Sequence, residues 1–139
     1  MNYKIEKNEQ YALISLEETA FGEAIVPTLE KMVVVLYREG YTNMIIDFSN
    51  ITEIDDAGID LLRKATKVCR EESGLFVVVT KDDEITDTID AAGILEIVIL
   101  PTTHEATEAV FMNDLENDFR QEEDDEYGFD SEGRFDDNY

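Results

Sequence analysis

Two adjacent carboxylates, Asp55 and Asp56, followed by Ala57 and Gly58, stand in the stretch Met44–Leu62, MIIDFSNITEIDDAGIDLL. The stretch reads as a buried strand, a short loop and a helix whose first turn carries these residues. A helix N-terminus exposes unpaired N–H groups and the positive end of the dipole, so it favours negative charge. Asp55 or Asp56 suits an N-cap whose carboxylate accepts from first-turn N–H groups. Ala57 helps the helix start, and Gly58 lets another backbone come close. The charge there is either structural or stands where a charge-adding switch modification would go.

The remaining reactive side chains build no catalytic set. His104 is the only histidine and falls at the start of the last predicted helix, where it reads as an incidental surface residue. Cys69 lies among Leu62, Ala65, Thr66 and Val68 and reads as a buried, inert thiol. No Cys/His cluster offers a zinc site, and no glycine-rich loop offers a phosphate cradle. Asp82, Asp83 and Glu84 open another helix, where acids complement the dipole. An aspartyl-phosphate receiver needs an acid pair after its first strand, and Glu17 and Glu18 stand near such a place. No convincing lysine-bearing loop completes the set. The expectation is a protein without catalysis, metal or cofactor.

The elements that must position the Asp55–Gly58 loop follow from periodicity. Tyr3–Lys7 and Tyr11–Leu16 read as a strand hairpin turning at Asn8–Gln10, and Glu17–Glu23 as a polar link. Ala24–Glu39 has apolar positions Ile25, Leu29, Met32, Val33, Leu36 and Tyr37 near a 3.6-residue period, with Pro27 in its first turn and Gly40 at its end. Asn43–Phe48 is a strand and Asp56–Glu72 a helix. Leu75–Thr80 is an apolar strand of the kind covered on both faces. Asp82–Ala92 is a short helix ending at Gly93, and Glu96–Leu100 a last strand closed by Pro101. Thr103–Phe119 is a helix with apolar Ala106, Ala109, Val110, Met112 and Leu115. The order β-β-α-β-α-β-α-β-α predicts an α/β fold: a mixed, largely parallel sheet with four helices and the first strand antiparallel at an edge.

Length and charge narrow the function. The 139 residues suit one domain over residues 1–119. A single cysteine fits a reducing compartment, and no apolar run with a basic flank opens the chain, so a cytoplasmic protein is expected. Residues 120–139 hold nine acids and two bases, −7 of the net −23. They read as an acidic, disordered tail in which Tyr127, Phe129, Phe135 and Tyr139 are available to dock on a partner or on the domain. Negative charge on both parts argues against nucleic acid and anionic membrane surfaces. The expected partner is a protein. A basic stripe on the second helix, Arg63, Lys67 and Arg70 with Lys64 beside them, is either a solvated face or a docking surface for an acidic partner or for the tail.

A hydrophobic strand, then DFSNITEIDDAGI, then an amphipathic helix resembles the STAS domain of bacterial anti-sigma factor antagonists, stressosome proteins and anion transporters. LFVVVT, a short helix ending AAGI, a strand and THEATEAV continue the resemblance, which covers Tyr3 to Phe119. It implies a regulatory module that binds an anti-sigma factor or kinase-like protein. In the antagonists a serine in a D-S-S-G or D-S-T-G loop is phosphorylated by that partner, and the complex then breaks. Matched by position, Asp55 falls on the family's Asp, Asp56 on the phosphoacceptor serine, Ala57 on the residue after it and Gly58 on the Gly. Asp56 has no hydroxyl. It therefore stands as a permanent, partial mimic of the modified state, or only as a better helix cap on an unswitched scaffold.

A second departure is Leu16–Phe21, LEETAF, where many relatives carry Gly before Leu-Asp. Ser49, Thr52 and Thr19 remain as hydroxyls and read as turn or capping residues. The expected partner surface is Asp55, Asp56, Ala57 and Gly58 with Arg63, Lys64 and Lys67. The alternative function is a soluble STAS subunit of a membrane lipid-transport assembly.

Overall fold

In the strand Ala12–Leu16 (β2), successive side chains point to opposite faces of a sheet, and both faces are covered. Ala12 and Ile14 enter the larger core and Leu13 a smaller one behind it. The same division recurs in Met44–Asp47 (β4) and Phe76–Val79 (β6), where Met44, Ile46, Phe76 and Val78 face one side and Ile45, Val77 and Val79 the other. These central strands are apolar on both faces for that reason.

The structure is a computed structural model that describes residues 1–127, with side chains through Arg120. Tyr3–Lys7 (β1) pairs antiparallel with β2 at one edge, and Val98–Leu100 (β7) closes the other. The five-stranded order is β1-β2-β4-β6-β7, and every pair after the first is parallel. Each crossover helix moves the chain one strand in the same direction. Right-handed connections therefore stack Val26–Arg38 (α1), Asp56–Glu71 (α2) and Asp83–Ala91 (α3) on one face. Thr103–Tyr127 (α4) follows the last strand and covers the other face with Ala106 and Val110.

The predicted elements are present with bounds shifted by a residue or two. Two differences are larger. The predicted polar link holds a short strand, Ala20–Phe21 (β3), which pairs parallel with Glu53–Ile54 (β5) in a second, two-stranded sheet. The pairing joins segments about thirty residues apart, beyond the reach of local periodicity. Helix α4 also runs on past the predicted end at Phe119 to Tyr127, into the acidic segment. The tail expectation for residues 128–139 lies outside the described residues.

On α4 the apolar periodicity misplaces two side chains. Met112 and Leu115 are 58% and 50% exposed, and Phe111 and Phe119 are exposed beside them. Beyond Val110 the inward positions are Asn113 and Asn117, whose amides donate to the Ser73 carbonyl at 2.7 and 2.8 Å. Beyond the starts of the strands the helix lies over the turn leading into β6, and amide donors serve its carbonyl better than hydrocarbon would. Asn43 acts similarly at the strand starts. It donates to Gln10 O at 2.9 Å and accepts from Leu75 N at 2.9 Å.

Candidate functional site at the front of the second helix

Asp55 is the N-cap of α2, in extended backbone geometry, and its Oδ1 accepts the Gly58 N–H at 2.9 Å. Its Oδ2 accepts the Glu23 N–H at 3.1 Å. One carboxylate thus caps its own helix and holds the loop that leads into α1. The N–H of Gly58, then that of Glu23, favours the charged form and lowers the Asp55 pKa below its ordinary 3.8.

Tight packing explains the neighbouring glycines. A Cβ on Gly58 would lie 2.7 Å from Phe21 Cδ2 and closer still to the Phe21 carbonyl. A Cβ on Gly22 would stand 2.6 Å from Asp55 Cγ. The β3–β5 pair brings these groups together, with Asp55 N donating to Phe21 O at 3.3 Å and Thr52 N to Thr19 O at 2.8 Å. Beneath them Phe21 and Phe48 are fully buried, their ring centroids 4.6 Å apart. Phe21, Gly22 and Glu23 are the site residues that sequence reasoning missed. Their only local signal is Gly22 beside a lone aromatic in a polar link.

Asp56 is the first residue of α2 and is exposed, with no hydrogen-bond or ion-pair partner among the described residues. Asp55 rather than Asp56 makes the cap, so Asp56 is the charge left facing outward at the helix front. Ala57 is half-buried behind it. Glu23, Glu53 and Asp60 are exposed around it and make this end of the molecule strongly acidic. The remaining hydroxyls serve local structure: Ser49 Oγ donates to Asp47 at 2.5 Å and Thr52 Oγ1 to Thr19 O at 3.4 Å.

The four cations of α2 do not form one free patch. Arg63 reaches the Ala92 carbonyl at 3.4 Å. Arg70 donates to Gly74 O at 3.1 Å and pairs with Glu96 at 3.2 Å. Lys64 pairs with Glu30 of α1 at 3.1 Å, and Lys67 has no ion pair among the described residues. Arg63 and Arg70 therefore turn toward α3 and β7, while Lys64 turns toward α1. Cys69 is fully buried, and burial pushes its thiol up to about 12. His104 is exposed, 3.5 Å from Glu108. Among the described residues no three His, Cys, Asp or Glu side chains converge as metal ligands, and no helix is long and apolar enough to cross a membrane.

A family model for the STAS domain matches residues 3–109. The fold is similar to an anti-sigma factor antagonist from Mycobacterium paratuberculosis: 20% identity and TM-score 0.68 over 78% of this chain and 92% of that one. It is similar as well to the Bacillus cell fate determinant SpoIIAA in its phosphorylated form, at 14% identity and TM-score 0.63, over 78% and 99% of the two chains. Murine solute carrier 26 family member A9, an anion transporter, shares the fold at 14% identity and TM-score 0.61, over 77% of this chain and 18% of the transporter. No protein of curated function matches the sequence.

Proposed function

Because this chain belongs to the STAS domain family, we propose that it is a non-enzymatic regulatory module of the anti-sigma factor antagonist type, whose protein partner reads the front of α2. The observation that carries this reading is the division of labour between two neighbouring acids. Asp55 is consumed in holding the loop, and Asp56 stands outward as an unpaired charge among the described residues. The partner-facing group is Asp56, set in place by Asp55, Ala57 and Gly58 behind it, and the acidic surroundings call for cationic side chains opposite. An anti-sigma factor or a kinase-like protein with such a face fits it.

Asp56 carries about one charge, where a phosphoserine would carry roughly 1.5 to 2 and three acceptor oxygens. With no hydroxyl to modify, the module is unswitched at this position, and its partner binds the charged form. Capture of partners from native cytosol by the full chain and by Asp56→Ser, with and without ATP, tests this. An anti-sigma factor or kinase-like ATPase held by both forms, without ATP-dependent release, supports the reading. Release of Asp56→Ser by ATP would make Asp56 a locked switch instead. Recovery of transporter subunits would favour the lipid-transport alternative.

A further inference from the structure

On a chain of net charge −23 with eleven Lys and Arg, four of them, Lys31, Arg38, Lys64 and Lys67, line one groove between α1 and α2. The groove encloses about 790 Å³, and its floor is apolar, with Val34, Val35 and Val68. Val34 and Val35 are 42% and 50% exposed. Two adjacent β-branched residues standing open on a helix, with cations on the rim, make an apolar surface of the kind that marks an interaction site. Glu30 and Glu71 also line it, and Glu30 is occupied by Lys64. Lys31, Arg38 and Lys67 have no ion pair among the described residues. The occupant this surface fits is an acidic segment with aromatic side chains.

We propose that the groove is the docking site of the chain's own C-terminal segment, residues 128–139. That segment, GFDSEGRFDDNY, interleaves Phe129, Phe135 and Tyr139 with four acids and a single base. Its aromatic rings match the apolar floor and its carboxylates match the cation rim. The chain leaves from the right end of the molecule. Asn113 and Asn117 bind the Ser73 carbonyl just beyond the C-terminal end of α2, so α4 passes that end on its way to Tyr127, its last described residue. The groove opens there too, since Arg38 ends α1 and Glu71 ends α2.

The lengths suffice. From Asn117 to Tyr127 the helix advances about 15 Å, and twelve extended residues span up to about 40 Å. The groove from Glu71 back to Lys64 is roughly 10 Å long. A tethered segment also acts at an effective concentration on the order of millimolar. A second copy would have to bring together two bodies of charge −23. The groove lies away from Asp56, at the other end of α2, so this inference does not depend on the partner reading given above.

The full chain carrying Ser131→Cys and a spin label tests the docking. Native Cys69 is fully buried and stays unlabelled. With the label oxidised, methyl signals of Val34, Val35 and Val68 should lose at least half their intensity relative to the reduced label. Those of Val77 and Val79, on the α4 face, should not. Adding Phe129→Ser, Phe135→Ser and Tyr139→Ser should restore the intensities, and so should Lys31→Glu with Lys67→Glu. The tail substitutions leave residues 1–127 untouched, so they decide the matter even if the lysine variant folds poorly. Absent or evenly spread broadening would overturn the proposal. So would broadening that passes from a labelled chain to a separate isotope-enriched one, which would assign the groove to a second copy.

Discussion

The Asp55 carboxylate accepts the backbone N–H of Glu23, 32 residues earlier in the chain, at 3.1 Å. The same side chain caps α2 through Gly58. A single side chain therefore sets both the start of a helix and the position of the loop beside it. Substitution Asp55→Ala should lower the thermal midpoint and speed amide exchange at Glu23 and Gly58 together. Asp55→Asn, which keeps one acceptor oxygen, should protect one of the two amides and not both. Hydrogen exchange read by NMR distinguishes these outcomes.

The pH dependence has a defined sign. The folded pKa of Asp55 is lowered from 3.8, so its stabilisation is fully present above that value and is lost as pH falls through the lower folded value. The stability advantage of the native chain over Asp55→Asn should be constant from neutral pH down to about 5 and shrink below about 3.8. Urea unfolding of both proteins between pH 6 and pH 2.5 reads this directly. An advantage that grows on acidification would contradict it.

Gly58→Ala places a methyl group against the Phe21 carbonyl and ring. The obstructing carbonyl is backbone held by the β3–β5 pair, so it cannot swing aside. The expected cost is about 1–3 kcal/mol in denaturant unfolding. Phe21→Leu in the same chain should not recover it, because the ring is only part of the obstruction.

Asn113 and Asn117 donate to the same oxygen, that of Ser73, which itself has a left-handed backbone with φ +61°. Either amide alone still satisfies that carbonyl. Asn113→Ala should cost about 1 kcal/mol, and the double Asn113→Ala/Asn117→Ala should cost more than the two singles added. Additive values would mean that the two amides act independently of the Ser73 turn.

Cys69 should be inert in the folded protein. A thiol pushed up to about 12 and fully buried is almost entirely protonated at pH 8. Its reaction with an aromatic disulfide should be at least about a thousandfold slower than that of a free thiol of pKa 8.5, and ordinary once the chain is unfolded.

Much of the fold was legible in the chain because the signals are local. Pro27 and Gly40 bracket α1, Asp82 caps α3 through Glu84 and Ile85, and Thr102 with Glu105 forms the start of α4. These are contacts within one helical turn, readable from spacing alone. The same holds for the apolar runs of β2, β4 and β6, which mark them as strands covered on both faces. Of the candidate site, an acidic cap at Asp55 or Asp56 and the close approach at Gly58 follow from residue type at the front of a helix; the structure assigns the cap to Asp55.

What lay beyond reading depended on which distant segments the sheet brings side by side. The β3–β5 pair, the Glu23 contact, the inward turn of Asn113 and Asn117, and the separation of Arg70 from Lys64 all join residues far apart in sequence. The amino-acid sequence determined the order of elements and an acidic cap at position 55 or 56, because these rest on local geometry and charge. Only the tertiary structure decided what that acid stands beside, and that cations and valines from two helices form one groove. Such neighbours are set by strand register and helix packing, and no periodicity along the chain encodes them.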